Sequence, residues 1–236
     1  LKSKKISPLC LAIAEIGDFQ SLKLLEKIEA ENPDPQVQGV AAMAIAVQLR
    51  GLGDEVNNMK RRLTLIRKAI VASAEVMING QTIAQMAEDE LYIIKNLSKG
   101  RNAPELIGSD ASGKACKLSD YKGKVTAIVF WNSQMQDAEY FLQLQRDLQK
   151  KMKDKPFELI GVNSDRPSQL RELQGNGAVT WRNFADPYRD LMHQYRVPQL
   201  PLVYLLDAQQ RIQYIGMPGS FVELTATALL GEIKSQ

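Results

Sequence analysis

Apolar residues recur at helical spacing through the first hundred residues of the chain. The spacing and the capping residues predict five helices: Ser7 to Ile16, Asp18 to Asn32, Asp34 to Gly51, Asp54 to Met77 and Thr82 to Leu97. Strand-like alternation does not interrupt this run of helices. Residues 1–98 are therefore predicted to form an all-helical domain, either a small bundle or a short α-solenoid.

Beyond a predicted linker at residues 99–103, strands alternate with helices. The continuous apolar runs Val125 to Trp131 and Phe157 to Asn163 are typical of strands buried on both faces of a sheet. Further segments are predicted in chain order: helix Asp137 to Met152, helix Pro167 to Leu173, strand Thr180 to Phe184, helix Tyr188 to Tyr195, a hairpin of Leu202 to Leu206 with Arg211 to Ile215, and helix Phe221 to Ile233. This order predicts an α/β domain over residues 104–236, a mixed sheet covered by helices on both faces.

Composition excludes some classes of partner and leaves the compartment open. The 30 basic and 27 acidic residues leave a net charge of +3, spread over both halves, so we expect no nucleic-acid partner. No apolar stretch reaches the roughly 18 to 20 residues of a membrane-spanning helix, so no transmembrane segment is expected. Because the chain starts at Leu1, we expect a trimmed or processed chain, and the lack of a signal peptide proves nothing.

Four segments of the second domain carry recognisable motifs. They are Asn102 to Leu106, Gly113 to Val125, the pair Phe130-Trp131, and Tyr195 to Asp207. In this order, over about 135 residues, they resemble the TlpA-like branch of the thioredoxin superfamily, which overlaps the AhpC/TSA-type (redoxin) families. The resemblance implies a thioredoxin-like fold, a cis-proline at Pro201 and thiol-disulfide oxidoreductase or peroxidase activity. It also implies a bacterial protein, periplasmic or exported, that needs no cofactor.

The redox motif of that family is degenerate in this chain. The family places Cys-x-x-Cys three residues after the aromatic pair, but Met135 and Ala138 occupy those two positions. Thiol exchange needs a thiolate of lowered pKa and a second thiol within reach. Methionine has no ionisable proton and alanine has no sulfur, so no catalytic residue is expected in this loop.

The remaining candidates for chemistry are few. Cys116 and Cys10 are both predicted to be buried, inert thiols, and a disulfide between them is disfavoured. His193 has no neighbouring ligand with which to form a metal site, and Asp186 and Asp190 lack the spacing of a calcium loop. No metal is expected, and solvent-facing or capping roles are predicted for these three residues.

Three functional hypotheses follow. The first is a redox-inactive module that binds an extended peptide or partner protein at the former redox face, through Trp131, Gln134, Met135, Leu200 and Pro201. The second is a thiol-disulfide oxidoreductase or peroxidase-like redoxin that works through Cys116 or Cys10. The third is a purely structural or oligomerisation role. The loss of both motif cysteines favours the first hypothesis and leans against an enzyme.

Overall fold

The amino-terminal helices begin and end close to the positions that the sequence predicts. In the computed structural model, which describes residue 3 and residues 5–234 (the last by its backbone alone), they are α1 (Ser7–Ile16), α2 (Phe19–Glu31), α3 (Pro35–Arg50), α4 (Val56–Ser73) and α5 (Ile83–Asn96). The predicted caps are present: an Asp18 carboxylate oxygen accepts a hydrogen bond from the Ser21 amide (2.7 Å), and Asp34 accepts one from the Gln36 amide (2.9 Å).

Helix α3 is the buried centre of the helical unit, and it contacts α1, α2 and α4. Its alanines, together with Val40 and Met43, are fully buried, because short side chains let neighbouring helices approach closely. At Gly39, an added Cβ atom would lie 2.4 Å from the Ser73 hydroxyl of α4, so no larger residue fits there without a shift.

A buried ion pair joins α4 to α5. Arg62 is fully buried and donates a hydrogen bond from Nη2 to Glu90 Oε2 (2.8 Å), while Arg50 of α3 donates to Glu90 Oε1 (2.7 Å). The carboxylate of Asp54 lies 3.7 Å from the guanidinium of Arg62. Three elements of the unit are therefore held by one buried carboxylate.

The predicted fourth helix is too long, and the structure replaces its end with a small hairpin. Helix α4 stops at Ser73, and β1 (Met77–Ile78) pairs antiparallel with β2 (Gln81–Thr82). The turn between the strands holds Asn79 and Gly80 at positive φ values of 51° and 83°. Asn-Gly is a strong signal for a two-residue hairpin turn, and it outweighs the continuing helical pattern.

The second unit contains the mixed sheet. A hairpin of β3 (Ile107–Ser109) and β4 (Ala115–Lys117) precedes a sheet of order β7-β6-β5-β8-β9, whose strands are β5 (Val125–Trp131), β6 (Phe157–Asn163), β7 (Arg182–Ala185), β8 (Leu202–Leu206) and β9 (Ile212–Gly216). Strands β5, β6 and β7 are parallel, and β8 and β9 run antiparallel to their neighbours. The helices are α6 (Ala138–Lys151), α7 (Pro167–Gly175), α8 (Asp190–Gln194) and α9 (Ser220–Lys234). The predicted fold class is confirmed.

Strand β5 lies at the centre of this sheet, and all seven of its residues are buried. Its odd-numbered residues pack in one cluster with side chains of α6 and α9. On the other face, the Phe130 ring lies 5.2 Å from the Tyr195 ring and 5.9 Å from the Tyr204 ring. Apolar layers on both faces explain why the run from Val125 to Trp131 has no polar alternation.

The chain divides into compact units at Lys95 and Asn96. The segment predicted as a linker, residues 99–103, hydrogen-bonds within the second unit: the Gly100 amide donates to the Ile212 carbonyl (2.7 Å), and the Ala103 amide donates to the Gln210 carbonyl (2.9 Å). The structure thus differs from the predicted linker, because backbone groups of this segment pair with the start of β9. In the part of the chain that the structure describes, every helix is too short or too polar to cross a bilayer.

Two short turns complete this unit. A 3-10 turn, Leu118–Tyr121, follows β4. The β8–β9 turn has no glycine, and Gln210 adopts the positive φ of 64°. Asp207 stabilises that turn by accepting hydrogen bonds from the amides of Gln209 and Arg211, both at 2.9 Å.

Candidate functional site

The loop that holds the redox motif in the family lies between β5 and α6. Met135 is half-buried and packs against the apolar cluster beneath β5, and Ala138 is the first residue of α6. The two motif positions therefore stand at the amino terminus of a helix, where a thiolate would be stabilised, but they carry apolar side chains. The assignment of Met135 and Ala138 to the family's two cysteine positions stays a prediction.

A buried carboxylate holds this loop in place. Asp165, which follows β6, accepts hydrogen bonds from the Ser133 amide (2.8 Å), the Ser133 hydroxyl (3.0 Å) and the Asn163 side-chain amide (2.9 Å). The sequence analysis missed Asp165. Its position just past the carboxyl end of a parallel strand, where sites of α/β proteins gather, was the available signal.

Pro201 lies beside the end of β5. The Leu200–Pro201 peptide bond is cis, which confirms the prediction from the resemblance. In the antiparallel pairing of β5 with β8, Phe130 is opposite Leu202, so the next pair along the register is Trp131 and Pro201. Leu200 and Pro201 are both half-buried. Whether Leu200, Pro201, Gln134 and Met135 contact an extended peptide is not tested by the structure, and their binding role stays a prediction.

Trp131 is a core residue, and this corrects its expected place among the binding residues. Its ring is fully buried, 5.7 Å from the Phe141 ring, and its Nε1 donates a hydrogen bond to Asn183 Oδ1 (2.9 Å). An added Cβ atom at Gly161 would lie 1.7 Å from the same oxygen, so the glycine makes room for this hydrogen bond. Because the ring is enclosed, it supports the loop and offers no surface to a ligand.

Cys116 occupies a different part of the unit. It lies in β4 opposite Gly108 of β3, is 1% exposed, and donates from Sγ to the Lys114 carbonyl (3.4 Å). At Gly108, an added Cβ atom would come within 3.2 Å of the Phe184 ring, which shows how closely the hairpin packs on β7. The predicted burial of Cys116 is confirmed.

Arg182 and Tyr121 surround the Cys116 thiol. Burial raises the pKa of Cys116, and the charge of Arg182 opposes this rise. The Arg182 guanidinium also donates to the Ala115 carbonyl (3.1 Å). The Tyr121 hydroxyl is buried close to Arg182; burial raises its pKa, and the charge of Arg182 opposes this rise. Sequence reasoning missed Arg182 and Tyr121, since only the packing of β4 against β7 brings them to the thiol.

The cluster of Cys116, Arg182 and Tyr121 is far from the β5–α6 loop. Arg182 is opposite Ile160, and Ile160 is opposite Ile128, which precedes Trp131 by three residues. At about 3.3 Å per residue and about 4.8 Å per strand, Arg182 is on the order of 14 Å from Trp131. The structure therefore does not bring Cys116 to the loop that would hold the motif.

The other candidates have structural places. Cys10 is fully buried in the helical unit, and burial raises the pKa of its thiol to about 11. Asp186 is buried and accepts hydrogen bonds from the Leu191 and Met192 amides (3.2 and 3.0 Å), which confirms a capping role, while His193 is exposed. Both cysteines are free. Across residue 3 and residues 5–234, no group of three His, Cys, Asp or Glu residues is arranged to hold a metal ion.

Part of the chain is similar in sequence to a known family and to named thiol-disulfide oxidoreductases. The model of the AhpC/TSA family matches residues 99–215. The thiol-disulfide oxidoreductase ResA of Geobacillus thermodenitrificans (strain NG80-2) is 22% identical over 158 residues, which are 66% of this chain and 89% of ResA. ResA of Bacillus subtilis (strain 168) is 24% identical over 119 residues, 50% of this chain and 66% of that protein.

The fold has matching solved structures. The thioredoxin domain of a thiol-disulfide oxidoreductase from Bacteroides vulgatus superposes with a TM-score of 0.51 at 23% identity, covering 57% of this chain and 99% of that domain. At this identity the likeness shows the fold alone.

The relatives correct the main functional expectation. Both sequence relatives are named thiol-disulfide oxidoreductases, which contradicts the hypothesis of a redox-inactive peptide-binding module and favours the second hypothesis. The absence of cysteine at Met135 and Ala138 bears on that loop only, and it leaves open a reaction through Cys116 or Cys10. Residues 99–215 of the chain match the AhpC/TSA family, and the second unit has a thioredoxin-like fold.

Proposed function

We propose that this protein carries out thiol-disulfide exchange through Cys116. The observation that carries the proposal is the position of this buried thiol, which lies near the guanidinium of Arg182 and the hydroxyl of Tyr121. Cys116 is also the only cysteine in the sequence from residue 96 onward. The names of the relatives support the same reaction class.

The exchange is a single-thiol reaction. The Cys116 thiolate attacks one sulfur of a substrate disulfide, the substrate S–S bond breaks, and the other sulfur leaves as a thiolate that takes up a proton. A second, external thiol then attacks the mixed disulfide, which restores Cys116 and forms a new disulfide. The external thiol is required because the unit has no second cysteine. Arg182 stabilises the negative charge on Cys116 in both steps.

Burial sets the expected rate. Because the thiol is 1% exposed and burial raises its pKa, little thiolate forms at neutral pH. A substrate can reach Sγ only when the β3–β4 hairpin moves away from β7. We therefore expect slow exchange, with a rate that rises with pH well into the alkaline range.

The test measures reduction of insulin and of glutathione disulfide by dithiothreitol in the presence of the full chain. We expect a rate above the uncatalysed one, unchanged in Cys10→Ser and lost in Cys116→Ser. Arg182→Gln should lower the rate and move its pH profile further upward, since the charge that opposes the rise in pKa is gone. A Met135→Cys/Ala138→Cys variant is the positive control, because it refills both motif positions.

Two results would refute the proposal. One is a wild-type rate equal to the uncatalysed rate while the Met135→Cys/Ala138→Cys variant is active. The other is equal activity in wild type and Cys116→Ser, which would assign the reaction to another group.

We also propose that the protein acts outside the cytoplasm, in an exported or periplasmic setting. The resemblance to the TlpA-like branch supports this location. Fractionation of cells that produce the natural protein tests it, and recovery from the cytoplasmic fraction alone would contradict it.

A further inference from the structure

One face of helix α4 is exposed and points away from the core of the helical unit, and its residues follow a regular spacing. Its buried residues include Ile66 and Ala69, which face α3 and the rest of the core. On another side, Val56, Leu63 and Ile70 are 68%, 43% and 39% exposed. These three apolar side chains are spaced by seven residues, so they lie in one line along the helix.

Two basic residues complete the line. Lys60 and Arg67 are exposed and lie between the apolar residues, which gives successive spacings of four, three, four and three. At about 100° per residue, all five side chains fall within about 80° of the helix circumference. This is the spacing of a coiled-coil seam, and Val56 to Ile70 spans roughly 21 Å of it. We call these five residues the α4 seam.

The charges of α4 are divided between this seam and the rest of the helix. Arg61 pairs with Glu26, Arg62 with Glu90, and Lys68 with Glu29. The two basic residues of the seam, by contrast, pair with no carboxylate in the described part of the chain. Their neighbours four residues away on α4 are apolar or uncharged, so the helix itself offers them no partner.

We propose that the α4 seam binds an acidic amphipathic helix of a partner protein. Apolar residues of that helix pack against Val56, Leu63 and Ile70, and its carboxylates face Lys60 and Arg67. Carboxylates are needed because an apolar residue in those places would bury a cation without a partner. This surface is independent of the thiol chemistry proposed for the other unit.

Charge and width argue against other occupants. A second copy packed in parallel would place Lys60 against Lys60 and Arg67 against Arg67, which is unfavourable. A membrane surface needs a broad apolar face, whereas Lys60 and Arg67 interrupt the apolar residues of the α4 seam, and Val71 is the exposed apolar side chain beside it.

The test measures binding of two labelled synthetic peptides to the full chain by fluorescence anisotropy. Both are three-heptad amphipathic helices with leucine at one seam position; the other seam position is glutamate in one peptide and lysine in the other. We expect the glutamate peptide to bind roughly tenfold more tightly, and this preference to fall as salt is added. Lys60→Glu/Arg67→Glu should reverse the preference, and Leu63→Asp should weaken binding of both peptides.

The control is Lys122→Glu/Lys153→Glu, which changes the net charge equally at exposed sites of the other unit. Circular dichroism checks that each variant keeps its helices. The proposal is overturned if the two peptides bind equally, if the control reverses the preference, or if Lys60→Glu/Arg67→Glu does not. Sedimentation of the wild type as a dimer that Leu63→Asp dissociates would make a second copy the occupant. Retention of the chain by phosphatidylglycerol vesicles that displace the peptide would make it a lipid surface.

Discussion

Removal of the Glu90 carboxylate tests whether water is excluded from the buried ion pair between α4 and α5, as the structure indicates. In Glu90→Ala, the guanidinium of Arg62 loses its hydrogen bond of 2.8 Å while its side chain stays fully enclosed. The cost of such a change is the desolvation of an unpaired charge, which typically reaches about 3–5 kcal/mol when one partner of a buried pair is removed.

The structure places the expected value at the lower end of that range. Asp54, 23% exposed and 3.7 Å from Arg62, keeps part of the compensating charge. We therefore expect Glu90→Ala to lower the free energy of unfolding of the helical unit by about 3 kcal/mol. Arg50→Ala removes the other hydrogen bond to Glu90, but Arg50 is 37% exposed, so its loss should cost about 0.5–1 kcal/mol. Replacing both buried partners, in Arg62→Met/Glu90→Leu, should recover most of the stability.

Urea unfolding separates this effect from the rest of the chain. The two tryptophans, Trp131 and Trp181, lie in the carboxy-terminal unit, so their fluorescence reports that unit alone. Circular dichroism at 222 nm reports helices of both units. We expect Glu90→Ala to move the dichroism transition to lower urea and to leave the fluorescence transition in place. If Glu90→Ala costs no more than Arg50→Ala, then water reaches Arg62 and the reasoning from burial is refuted.

Three further predictions concern the thiols and the buried polar groups. Asn183→Ala leaves the Trp131 indole N–H buried without an acceptor, so fluorescence-monitored unfolding should show a loss of about 1–3 kcal/mol. The Cys10 thiol, whose pKa is raised from 9.0 to about 11, favours the folded state below pH 9 and loses this contribution as pH rises towards 11; alkaline stability should fall less in Cys10→Ala. Tyr121→Phe removes the hydroxyl that lies close to Arg182 and Cys116, so the variant should be slower in the exchange assay.

Periodicity was enough to predict most elements of the fold. The seven-residue runs of β5 and β6 coincide with the observed strands, because strands buried on both faces leave an unbroken apolar signal. The signal failed where local turn chemistry competed with it. At Asn79-Gly80 a two-residue turn replaced the end of a predicted helix, and its strands are too short to show any alternation.

The site was less accessible to sequence reasoning. The cis-proline at Pro201 follows from its position within the family's motif, and the structure confirms it, while the assignment of Met135 and Ala138 to the two motif positions stays a prediction. The predicted binding role of Trp131 was wrong because the sequence shows its neighbours along β5 but not the side chains, such as Phe141 of α6, that pack on its ring. The cluster around Cys116 joins residues more than 60 positions apart, through the packing of a hairpin on the edge strand, and no local spacing encodes that contact.

The polar groups around Cys116 support the proposed exchange reaction. Burial raises the pKa of the Cys116 thiol, and the charge of Arg182 opposes that rise, whereas the charge of Asp110 adds to it. A sulfur that carries negative charge in both steps of the proposed exchange therefore has a cation beside it. Arg182 also donates a hydrogen bond to the Ala115 carbonyl, so Arg182→Gln distinguishes two roles of this residue. If Arg182 only holds the hairpin, the variant loses stability while the pH profile of the exchange stays where it is.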